Sequence, residues 1–86
     1  MNEDSVAFTV KGIGITARQR DAGLAAMVGL FTKNDVRTAL VAAGVPYSVI
    51  GESYLADRAA DRLCQSERKA RRIRAINNRT WERVAR

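Results

Sequence analysis

The apolar positions of this chain change period along its length, and each change marks an element. In residues 5–11 they alternate, with Val6, Phe8 and Val10 on one side and Ala7, Thr9 and Lys11 on the other. A period of two predicts a half-buried strand. Gly12-Ile13-Gly14-Ile15 comes next, and its two glycines predict a bend acting as a flexible joint. Gly-x-Gly also opens phosphate-binding loops, but the third glycine, the Walker lysine and a following acidic ribose ligand are missing.

From Thr16 the period lengthens to that of a helix. Thr16 predicts an N-cap, with Gln19 at the third helical position returning the bond. Leu24, Met27, Val28 and Phe31 recur at threes and fours, one apolar stripe on a first helix that closes near Gly29. Gly23 and Gly29 each weaken such a helix by up to about 1 kcal/mol relative to Ala. Arg18, Arg20 and Asp21 fall off the stripe, on solvated surface.

A short strand at Phe31-Thr32 leads into a second helix. Thr32 caps it, and Asp35 in its first turn faces the positive end of the macrodipole. Phe31 before the cap and Val36 at the fourth helical position predict a hydrophobic staple. The helix runs through Val36, Ala39, Leu40 and Ala43 and stops at Gly44, with Pro46 beyond. VPYSVIGES is then a turn in which Val49 and Ile50 plug the core and Ser48 or Ser53 caps the next helix.

The third helix, taken at about 100° per residue, turns Leu55, Ala59, Leu63 and Ala70 inward, with Ala56 and Ala60 at the edge. Its outer arc carries Tyr54, Asp57, Arg58, Asp61, Cys64, Gln65 and Arg68, and Arg58 can pair with Asp61 at i, i+3. A hairpin closes the chain: Arg72–Ile76 and Thr80–Val84 flank Asn77-Asn78-Arg79, a turn that suits asparagine's tolerance of positive φ. A three-residue loop sets Ala75 opposite Trp81 and Arg74 opposite Glu82. A four-residue loop sets Ile76 opposite Trp81 and Ile73 opposite Val84. Trp81 is expected as a lid over the helices in either register. Arg79 at the tip has no structural task.

Eighty-six residues make one domain, read as an N-terminal strand or arm over 1–15 and a domain over 16–86. Net charge sharpens the picture. Of the chain's +6, residues 51–86 carry ten Lys+Arg against five Asp+Glu, and from Arg68 onward eight basic residues face the single acid Glu82. No apolar run approaches the ~18 residues of a membrane span, and the Met1–Asp4 start is acidic, so no membrane association and a cytoplasmic location are expected. Lone Cys64 fits a reducing compartment. The absence of histidine removes Ser-His-Asp, Cys-His and HExxH chemistry together, so the chain is not expected to be an enzyme or to hold a metal or cofactor.

Helix, short strand, capped helix, turn, helix and hairpin in this order resemble the winged helix-turn-helix superfamily over residues 16–85. The matching stretches are FTKNDVRTALVAAGV and ADRAADRLCQSERKARRIRAI. The resemblance implies an α+β fold of three helices plus a C-terminal two-stranded wing, with the N-terminal strand as an extra. It places the recognition helix at Ser53–Lys69 and the wing at Arg72–Val84. Arg71 stands where such helices often end in glycine, and the link between second and third helices is longer than in simpler members. The extra strand either adds to the wing sheet or pairs with a second subunit to form a homodimer.

The implied function is sequence-specific binding of double-stranded DNA, by a small bacterial or phage-type transcriptional regulator or accessory factor. Tyr54, Arg58 and Gln65 would lie nearest the bases, since Arg and Gln suit bidentate bonds to guanine and adenine. Lys69, Arg71, Arg72, Arg74 and Arg79 would hold phosphates, with Arg68 completing the DNA-binding set. The alternative is a protein-interaction module docking polymerase or a phage or bacterial partner, which the outward acids Asp57 and Asp61 favour. RNA binding shares the charge argument but lacks interleaved exposed aromatics.

Overall fold

The computed structural model describes residues 5–10, 12–47 and 54–84. It is an α+β arrangement of three helices and two antiparallel sheets. In chain order the elements are β1 (Val6–Val10), β2 (Ile13–Thr16), α1 (Ala17–Ala25), β3 (Leu30–Thr32), α2 (Lys33–Ala42), α3 (Leu55–Lys69), β4 (Ile73–Ala75) and β5 (Thr80–Arg83). Among the described residues no helix is long and apolar enough to cross a membrane.

The stretch expected as a flexible joint is itself a strand. β1 turns at Gly12, whose φ of +78° suits glycine, and pairs with β2, Val10 opposite Ile13 and Thr9 opposite Gly14. Gly14 has a packing reason as well: a Cβ there would stand 2.9 Å from Val6 Cγ2. The N-terminal strand therefore does not extend the wing sheet; its partner lies in the same chain. Val10 and Ile15 bury into the common core, and Arg62 of α3 donates from Nη1 to the Thr9 carbonyl at 2.8 Å while its guanidinium lies over Phe8.

α1 carries the expected capping box. Gln19 N–H donates to the Thr16 hydroxyl at 3.1 Å and Thr16 N–H to Gln19 Oε1 at 3.0 Å. The helix is shorter than its apolar stripe. It stops at Ala25, Met27 is buried beyond its end, Val28 faces solvent and Phe31 belongs to β3. Gly29, with φ +55°, redirects the chain into that strand. Gly23 is a contact point: a Cβ there would stand 2.8 Å from Leu63 Cδ1 and 3.0 Å from Leu40 Cδ2, so its bare backbone lets α1 approach both other helices.

α2 follows the sequence closely. Thr32 and Asp35 form a full capping box, Phe31 and Val36 are both buried as the staple requires, and Gly44 closes the helix at φ +103°. Val49, Ile50, Ser48 and Ser53 lie outside the described residues. α3 starts from Tyr54, which has a left-handed backbone (φ +65°) and makes no side-chain cap.

The inward arc of α3 is rotated from expectation. Cys64 and Glu67 are buried with Leu55, Ala56, Ala59, Ala60 and Leu63, whereas Ala70 is exposed. The reason is that the helix is covered from several sides: α2 and α1 lie against it, and β4 and β1 also contact it. The expected ion pair between Arg58 and Asp61 is not formed; Asp57 pairs instead with Arg37 of α2 at 3.5 Å.

The C-terminal sheet has three strands in the order β3-β5-β4, not two, because β3 pairs along the free edge of β5. The hairpin takes the three-residue loop, with Ala75 opposite Trp81 and Arg74 opposite Glu82. Phe31, Trp81 and Ala75 form one rung, and buried Phe31 turns that rung toward the core, where Trp81 packs half-buried. By alternation Leu30, Glu82 and Arg74 face out.

Candidate nucleic-acid interface

Pairing β3 to β5 brings the start of α2 beside the wing. Together with the outer face of α3 they enclose a groove of about 560 Å³, lined by Lys33, Asn34, Asp61, Gln65, Asn78, Arg79 and Trp81 together with Thr32. Two neighbouring hollows along α3 extend it. Both include Asp61: one reaches Arg58 and the other Lys69. The polar surface from Arg58 through Gln65 to Lys69 is thus continuous with the wing tip.

The structure brings together Arg58, Gln65, Lys69 and Arg79 of the expected contact residues. Tyr54 lies elsewhere, edge-on to Tyr47 at 6.3 Å between ring centroids, and Tyr47 sits under the Arg37 guanidinium. Arg68 and Arg71 are exposed at the end of α3 but do not line the groove. Arg71 holds the backbone place usually given to glycine, at φ +62°.

Arg72 and Arg74 are engaged within the protein. Arg74 Nε donates to Glu82 Oε1 at 2.8 Å across the hairpin. Arg72 makes a bidentate fork on Glu67, donating from Nε to Oε1 at 3.0 Å and from Nη2 to Oε2 at 2.5 Å, and Arg83 Nη1 donates to Oε1 at 3.3 Å. Glu67 is only 5% exposed. The hydrogen bonds from Arg72 hold its carboxyl below the usual carboxylate range, against the opposing effect of burial, and Glu67 in turn raises Arg72 above its ordinary value. One buried carboxylate therefore ties the end of α3 to both wing strands. Cys64, buried beside it, has its thiol pushed up to about 11 by burial and is a neutral packing group at pH 7.

Lys33, Asn34, Asn78 and Trp81 were not among the residues expected to meet DNA. Local pattern reads Lys33-Asn34 as the first helical positions after a cap. Only the long-range β3–β5 pairing shows that they face the wing. Among the described residues no cluster of His, Cys, Asp and Glu could hold a metal ion. Comparison of the chain with protein-family models, with curated proteins and with solved structures gives no match in any of the three.

Proposed function

We propose that this chain binds double-stranded DNA through a winged-helix arrangement, as a small regulator or accessory factor. The observation that carries the reading is the continuity of α3's outer face with the wing tip, lined by cations from both elements. Three helices beside a β3-β5-β4 sheet are compatible with a winged helix, with three strands in the sheet where two were expected. α3 would lie in the major groove, with Arg58 and Gln65 nearest base edges, while Lys69 and Arg79 neutralise phosphates.

Fluorescence anisotropy against salt tests it. With about two to four phosphates neutralised by the cations left free on this face, the binding constant should fall roughly 10–10²-fold between about 50 and 200 mM salt. A flat response rejects the mechanism. Arg79→Ala should weaken binding to every duplex about equally, and Arg58→Ala should change the preference among sequences.

A second reading, docking on a protein partner, is favoured by the outward side of the wing sheet, where Leu30 and Ile76 stand 65% and 49% exposed. A complex that survives nuclease and ~0.5 M salt, with no duplex binding, would select it.

A further inference from the structure

The groove between α3 and the wing is rich in donors. Lys33 and Arg79 supply an ammonium and a guanidinium, and Gln65 and Asn78 supply carboxamides; none of these four side chains donates to a protein group among the described residues. Asn34 accepts from Arg37 through Oδ1, which leaves its NH₂ end to donate. Trp81 adds an indole N–H, a donor with no acceptor function. Against this set stands one carboxylate in the lining, Asp61. Such a surface suits a ligand that is anionic and made of acceptors.

The shape narrows the choice. In a duplex, the ridge separating the wide major groove from the narrow minor groove is a sugar-phosphate backbone. A protein that places a helix in the major groove and reaches past the ridge with a hairpin must accommodate that ridge in the hollow between them. Here that hollow is the donor-rich groove.

We propose that the groove lined by Lys33, Gln65, Asn78, Arg79 and Trp81 is the track of one phosphodiester backbone, with Lys33 and Arg79, neighbours where β3 meets β5, holding phosphates from one wall and Gln65 of α3 facing them. The proposal rests on the duplex-binding reading above and relocates its phosphate contacts. Arg72 and Arg74, bound to Glu67 and Glu82, position the wing; Lys33 on α2 and the wing-tip donors make the contact. Asp61 opposes the strand and limits affinity.

The test uses the full chain, a duplex of mixed sequence, and two readouts: anisotropy against salt, and emission from Trp81, the only tryptophan in the protein. Lys33→Ala and Arg79→Ala should each flatten the slope of log K against log salt by about 1. Asp61→Asn should tighten binding at low salt by roughly two- to fivefold, an increase that a merely structural role would not produce. Trp81 emission should change on adding duplex, while Arg18→Ala on α1 leaves the slope unchanged. Circular dichroism on each variant confirms folding, since all four replaced side chains lie on the surface. If the wild type binds duplex and Arg79→Ala flattens its salt slope, but Lys33→Ala keeps that slope and Trp81 stays silent, the track is wrong and duplex binding stands. If the wild type binds no duplex at about 50 mM salt, both fail.

Discussion

At the end of α2, Gly44 takes φ +103°, its N–H bonds to the Val41 carbonyl at 3.0 Å, and Val45 N–H bonds back to Leu40 at 3.0 Å. At the end of α3, Arg71 takes φ +62°, its N–H bonds to the Arg68 carbonyl at 2.9 Å, and Arg72 N–H bonds back to Glu67 at 2.9 Å. Both are Schellman motifs, in which the residue after the left-handed position folds over the third-last helical residue. In α2 the two residues brought together are Val45 and Leu40, both buried in the core. In α3 they are Arg72 and Glu67, an ion pair. The same backbone closure thus serves as an apolar stop before a loop and as an ionic hinge before the wing. The ionic version recruits a second strand root, Arg83, which an apolar contact would not orient.

Four substitutions separate the two ends. The largest effect is expected from Leu40→Ala, which opens a cavity where burial is complete and should cost about 2–5 kcal/mol in denaturant unfolding. Glu67→Gln comes next, at about 1–3 kcal/mol, because a carboxamide cannot accept from two arginines with both of its terminal atoms. It should also remove an acid dependence. Glu67 has a folded pKa below its ordinary 4.5, so its contribution is fully present above that value. As pH falls toward the folded pKa the unfolded chain takes up the proton first, and stability is lost. Melting curves from pH 6 down to about 3 should therefore fall more steeply for wild type than for Glu67→Gln. A parallel decline in both proteins would remove Glu67 from the account.

The two left-handed residues give smaller effects of opposite sign. Gly44→Ala forces a Cβ into a left-handed backbone and should destabilise by about 1–2 kcal/mol. Arg71→Gly relieves that same strain at the end of α3, offset by a more flexible unfolded chain, and should stabilise by under about 1 kcal/mol. Should Arg71→Gly instead destabilise, the arginine side chain would have a packing role that its exposure does not suggest.

Range along the chain decides which features are legible in the sequence. Thr16 with Gln19, Thr32 with Asp35, the Phe31–Val36 staple and the Gly44 stop involve residues within a few positions of one another, and all can be read there. The hairpin is legible apart from its register, which a local pattern leaves open between two loop lengths. The long-range features are not. Nothing near Leu30–Thr32 indicates that this short strand pairs with Thr80–Glu82, yet that pairing makes the wing three-stranded and sets Lys33 and Asn34 beside Asn78 and Arg79. The hydrophobic stripe through Leu24, Met27, Val28 and Phe31 overruns α1 because the helix ends at Ala25: Met27 enters the core just past that end, and Phe31 enters it from β3 after the turn at Gly29. Glu67 is hidden by its charge: a carboxylate on an alanine-rich helix reads as surface, and only the two arginines folding over it make burial tolerable. Hence the phosphate contacts expected of Arg72 and Arg74 have the right charge but overlook Glu67 and Glu82 as their partners.

The guanidinium of Arg62, seated on the Thr9 carbonyl, has a consequence for growth. A short sheet with unpaired main chain is a template onto which another copy can polymerise, and charged side chains across a rim are a common guard against it. Here the guard is anchored on α3 and its tip is hydrogen-bonded to the rim. Any strand arriving from a neighbouring molecule at that position would have to evict a cation already coordinated there. The hairpin at the start of the chain is in this way sealed by the helix it packs on.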